Sequence, residues 1–106
     1  MSEASFTPVA TLADIPPGKT LCVTLADREI LLCHTPEGIF AVDNNCTHAA
    51  ARMSDGKLKG CRVICPMHGA AFDVRDGAAL SLPARTPLAT YPVRVEGDAV
   101  LLGEPL

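Results

Sequence analysis

The chain has 106 residues and a formal net charge of −3, a length that supports one domain with a modest core and leaves little room for an enzyme's own substrate pocket. No apolar run approaches the ~20 residues that span a bilayer, and scattered bases within an acidic total exclude a nucleic-acid patch. The opening Met1-Ser2-Glu3-Ala4-Ser5 has neither the basic nor the apolar part of a secretory signal, and no Arg-Arg pair supports twin-arginine export, so a cytoplasmic location is expected.

In chain order, Ala10–Ile15 has room for one helical turn. Lys19–Leu25 and Arg28–His34 are β-type runs joined at Ala26-Asp27, which reads as a hairpin. Pro36-Glu37-Gly38 signals a turn before a further strand, Ile39–Asp43. Ala49–Met53 again has room for a helical turn only. Near the C-terminus, Tyr91–Glu96 and Ala99–Leu102 flank Gly97-Asp98, a two-residue hairpin connection of the primed type. Nine prolines argue against long helices. The chain is therefore expected to be all-β, with base strands from 1–43 and 84–106 and a segment, 44–83, inserted between them.

Five cysteines divide by context. Cys22, Cys33 and Cys61 sit in apolar alternating stretches and, in a reducing compartment, read as small buried hydrophobes rather than disulfide partners. Cys61 also precedes Cys65 by four residues and is a competitor for its place as a ligand. His34 is a lone histidine at a strand end, expected on the surface.

The remaining cysteines carry the chemistry. Cys46-Thr47-His48 is a C-x-H pair and Cys65-Pro66-Met67-His68 a C-x-x-H pair. Two thiolates and two imidazoles can hold a structural zinc ion or a [2Fe-2S] centre in which two His replace two Cys on one iron. Zinc fingers usually pair like with like across a helix; here each pair mixes Cys with His, and Pro66 and Gly69 interrupt any helix. Mixed pairs suit two loops that each give a thiolate to one iron and an imidazole to the other. With two thiolates the oxidised centre is neutral, which raises its potential above that of an all-Cys cluster.

Cys46-Thr47-His48, Cys65-Pro66-Met67-His68-Gly69 and Phe72-Asp73 resemble the two cluster-binding loops of Rieske proteins. The resemblance implies a β-sandwich-like base topped by a rubredoxin-like cluster-binding subdomain. It implies one Rieske [2Fe-2S] cluster per chain on Cys46, His48, Cys65 and His68, with Gly69 allowing close backbone approach. Pro83 would lie in a third covering loop and Met67 would pack over the cluster. Rieske proteins of respiratory and photosynthetic complexes add a disulfide and Ser and Tyr hydroxyls near the cluster. The matching positions here are Ala51, Met67, Ala70 and Phe72, which supply none of these. A potential near the low end of the Rieske range, about −150 mV, is expected.

The pattern is similar to the Rieske-type ferredoxins that feed bacterial ring-hydroxylating oxygenases. That similarity implies a one-electron carrier between a flavin-containing ferredoxin reductase and a terminal oxygenase, docking through an apolar collar of Ala49, Ala50, Met67 and Pro83. No enzyme activity of its own is expected. With His48 and His68 used, only His34 is left, and a second iron site of two His and a carboxylate cannot be assembled. A monomer is the expected state. The alternatives are a small subunit of an assimilatory nitrite reductase and a zinc-stabilised interaction module. The segment 44–83 has a charge balance of +2 within the acidic chain; it reads as ordinary surface or as a rim that steers partners.

Overall fold

The computed structural model describes residues 6–47, 51–67, 69–81 and 86–103. Within them, short strands build three antiparallel sheets. The first runs β1 (Phe6–Thr11), β10 (Ala99–Gly103), β9 (Val93–Glu96). The second runs β2 (Thr20–Leu25), β3 (Arg28–Thr35), β4 (Gly38–Asp43), β8 (Thr90–Tyr91). The third runs β5 (Lys57–Lys59), β6 (Arg62–Ile64), β7 (Ala71–Asp73). The all-β expectation holds.

The β2–β3 hairpin turns on Ala26 and Asp27, both at positive φ (51° and 63°). Two consecutive left-handed residues make the connection whose twist matches that of the strands it joins. Strand β3 is then buried on both sides: Ile30, Leu31, Leu32 and Cys33 are at most 1% exposed. Ile30 and Leu32 pack with Ile15, Ala41, Tyr91, Val100 and Leu102. Leu31 and Cys33 pack with Val42 against Met53, Val63, Phe72 and Val74. The middle sheet thus separates two apolar layers, so β3 is continuously apolar where a half-exposed strand would alternate. Burial pushes the Cys33 thiol up to about 12.

Of the sequence expectations, the first helical turn holds and two others need correction. The turn expected within Ala10–Ile15 is a 3-10 turn at Leu12–Asp14, with Ala10 itself still in β1 opposite Val100. The second is displaced to Met53–Asp55, preceded by a β-bridge between Asn45 and Arg52; Ala49 and Ala50 lie outside the described residues. Tyr91–Glu96 is not one strand. Pro92 has no N–H for the ladder, and the chain changes sheets there: Tyr91 pairs with Ala41 in the second sheet and Val93 with Leu102 in the first.

Candidate metal centre

Two loops are built on the same frame. The Cys46 N–H donates to the Ala51 carbonyl at 3.0 Å, and the Cys65 N–H donates to the Ala70 carbonyl at 2.8 Å. Each cysteine therefore opens a six-residue loop closed onto its own fifth follower. Outside each loop stands a strand-like pair, Asn45 with Arg52 and Ile64 with Ala71. Backbone pairing thus fixes where each loop begins and ends, leaving its interior to present ligands.

The frames bring the two thiols together. Cys46 and Cys65 are buried, at 9% and 1% exposure, in one apolar cluster with Ala70 and Phe72. Their side chains lie within hydrogen-bonding reach of each other. Burial first, and the Cys46 side chain second, push the Cys65 thiol above its ordinary value, while the Met67 backbone N–H opposes the rise. Among the described residues, no cation lowers the value of the Cys65 thiol in this apolar pocket of two adjacent thiols. A metal supplies positive charge, because thiolates and not thiols are the ligands. The donor set described here therefore suits a sulfur-bound metal. His48 and His68 lie outside the described residues. Gly69 sits at φ +71°, and an added Cβ there would meet nothing within 4 Å; the backbone conformation, not space, calls for glycine.

Contacts beyond the loops hold them in place. The Thr47 hydroxyl donates to the Thr86 carbonyl at 2.8 Å, tying the first loop to the segment that follows the expected Pro83 loop. Two residues on, the Leu88 N–H donates to Gly77 at 2.8 Å. Gly77 has φ +81°, and a Cβ there would stand 2.1 Å from the Leu88 carbonyl oxygen. Glycine is what lets this strap lie flat on the turn after β7. Pro83 itself falls outside the described residues.

Asn44, fully buried, joins β4 to the first loop. Its amide N–H groups donate to Glu29 Oε1 at 3.3 Å and Ser54 Oγ at 3.2 Å. Its side-chain oxygen accepts from the Ser54 N–H at 2.8 Å, and its carbonyl accepts from the Met53 N–H at 2.6 Å. Arg52 pairs with Glu29 at 3.3 Å on the surface above. A second tie crosses at Arg75, which pairs with Asp73 at 2.8 Å and with Glu37, in the β3–β4 turn, at 2.9 Å. The hydrogen bonds from Arg75 hold the Asp73 carboxyl below the usual carboxylate range.

Other sequence-designated residues separate from the site. Cys61 sits in the β5–β6 turn, its Sγ 3.6 Å from Glu37 Oε2, apart from the Cys46–Cys65 pair. His34 is not a free surface group: its Nδ1–H donates to the Ile15 carbonyl at 2.7 Å. Met67 is exposed. Asn44, Gly77 and Thr86 were not legible as site supports. Each acts through backbone carbonyls or buried amide groups, for which a sequence has no spacing rule.

An antiparallel β-protein with two matched loops presenting paired buried cysteines is a small metalloprotein of the iron–sulfur or zinc-knuckle type. Comparison decides between them. The Rieske [2Fe-2S] domain matches residues 5–92, and the chain belongs to that family. It is 45% identical over 102 residues to the ferredoxin component of a naphthalene 1,2-dioxygenase system from Pseudomonas aeruginosa, covering 96% of this chain and 97% of that one. Its fold superposes on the Sphingomonas yanoikuyae B1 ferredoxin with a TM-score of 0.88 at 30% identity, covering 95% and 100% of the two chains. It likewise matches a chain of a complex of reduced oxygenase and oxidised ferredoxin in carbazole 1,9a-dioxygenase, with a TM-score of 0.89, 28% identity and 98% of each chain covered. The cofactor is accordingly a Rieske [2Fe-2S] cluster, and the chain is an electron carrier rather than a catalytic enzyme.

Proposed function

We propose that Cys46 and Cys65 hold one iron of the cluster and His48 and His68 the other. The chain then carries single electrons from a flavin-containing ferredoxin reductase to a terminal ring-hydroxylating oxygenase, as a cytoplasmic monomer. In this reading residues 44–83 are the cluster-binding unit and 1–43 with 84–106 the base that carries it. The matched frames of the Cys46–Ala51 and Cys65–Ala70 loops, with their thiols side by side, support it most directly.

When bound, the cluster supplies one-electron exchange with its metal positions filled by protein ligands. The chain's own residues do the rest. Apolar burial around Cys46 and Cys65 keeps water from the sulfur side. The Met67 N–H donates to the Cys65 sulfur, stabilising negative charge there. Ala70 and Phe72, both fully buried, offer no hydroxyl to the sulfurs, which supports a potential near about −150 mV. Exposed Met67 belongs to the face that would meet partners, and such redox encounters bury little surface.

The test is a reconstituted assay with a reductase and a ring-hydroxylating oxygenase of the naphthalene class, with and without this chain. Hydroxylated product should require the chain at catalytic amounts. Product formed at the same rate without it would contradict the proposal.

A further inference from the structure

The outer face of the third sheet carries lysines without an ion pair among the described residues. The pairings Lys57↔Ile64, Lys59↔Arg62, Arg62↔Asp73 and Ile64↔Ala71 place these residues on one face, while Leu58, Val63 and Phe72 turn to the core. Lys59 and Arg62 stand directly opposite each other, a like-charge cross-strand pair that works against sheet formation. Among the described residues, neither has an ion pair, nor do Lys57 and Lys19. Asp73, opposite Arg62, is bonded by Arg75, which also holds Glu37, and attracts Arg62 without a direct ion pair. Elsewhere Arg52 and Arg94 each have a carboxylate partner.

This face adjoins the metal-binding loop. Two shallow grooves share Lys57 and Lys59. One leads past Gly56 to Lys19; the other is walled by Asp55, Ile64, Cys65 and Pro66. We propose that the Lys19, Lys57, Lys59 and Arg62 face docks the acidic surface of a redox protein partner beside the Cys65–His68 loop. The proposal rests on the electron-carrier reading above.

The chain's net charge of −3 repels an acidic partner at long range. A local cationic face beside the loop reverses that sign where transfer occurs, steering the encounter and its orientation. Asp73 offsets the charge of Arg62 only in part, because Arg75 engages it first; a partner's carboxylates would complete the face for Lys57 and Lys59. A nucleic acid is the weaker fit: the chain is acidic overall and the face shows no aromatic side chain for bases to stack on.

The experiment uses holoprotein with its iron and sulfide measured beforehand. Reduced protein is oxidised by ferricyanide, an anion, or by hexaammineruthenium(III), a cation. Oxidised protein is reduced by the hydroquinone of an acidic flavodoxin. Ionic strength runs from about 0.01 to about 0.1 M, over which the screening length falls from ~30 to ~10 Å. Rates with ferricyanide and flavodoxin should fall about tenfold as salt rises, and that with the cation should not fall. Lys57→Glu with Lys59→Glu should abolish the fall. Lys59→Gln should weaken it while melting no lower than wild type, which separates docking from folding. Anionic rates that rise with salt, a double variant matching wild type, or a DNA duplex retained at about 0.1 M salt would each overturn the proposal. Protein lacking iron and sulfide would overturn the carrier reading along with it; cluster-loaded protein with the wrong salt response overturns docking alone.

Discussion

The Thr47 hydroxyl and the Thr86 carbonyl, 39 positions apart, meet at 2.8 Å, so the residue between the expected ligands Cys46 and His48 also fastens the strap that returns past the site. Thr47→Val keeps the shape and removes the donor. It should cost about 1 kcal/mol and hasten bleaching of the visible spectrum in air, with Thr47→Ser restoring both. Spectral lifetime and thermal melting check this; a Val variant as durable as wild type would show the bond to be incidental.

Asn44 should matter more to folding than any surface ion pair. Asn44→Ala strips partners from the Ser54 N–H and from Glu29 while leaving a buried gap. A loss of about 2–3 kcal/mol is expected, a drop in melting temperature on the order of 10 °C for a domain of this size. Arg52→Ala, which removes the exposed pair with Glu29 and a side-chain contact with Cys22, should cost under about 1 kcal/mol. Denaturant midpoints of the two variants order the effects.

Gly77 and Gly18 share a left-handed φ, +81° and +80°, but only Gly77 faces an obstacle. Gly18→Ala should cost about 1 kcal/mol, the conformational penalty alone. Gly77→Ala adds a collision with the Leu88 carbonyl and should cost clearly more, together with loss of cluster retention. Equal costs would mean that the 86–88 strap shifts freely.

Arg75 should set the acid tolerance of the fold. Because Asp73 titrates below its ordinary value in the folded state, its pairing stabilises above the unfolded carboxylate pKa of about 3.9. That contribution is lost as pH falls through the lower folded value. Arg75→Gln should therefore lower stability near neutral pH, and the gap from wild type should close at strongly acid pH. Melting curves across that range measure the gap; one that widened with acid would reverse the assignment.

Much of the base was legible because its strands are long enough for a pattern. The β2–β3 hairpin and the β9–β10 turn follow from β-type runs and two-residue connections. The Tyr91–Glu96 misreading has a plain cause: the apolar alternation continues through Pro92, and only the missing N–H forces the change of sheet. Strands β5 to β7 went unread because three residues cannot display a period. Of the proposed site, the Cys and His spacing was legible at once, since ligands declare themselves by type. The i to i+5 closure of both loops was not, because it is made entirely by backbone groups at Ala51 and Ala70.

Iron and acid-labile sulfide analysis, joined to an EPR spectrum of the dithionite-reduced protein, tests the central claim most directly. The account predicts iron and sulfide in equal amounts, a paramagnetic signal that appears on one-electron reduction, and loss of that signal in His48→Ala and His68→Ala. Colourless protein with stoichiometric zinc and no sulfide, or a signal that survives either substitution, would contradict it.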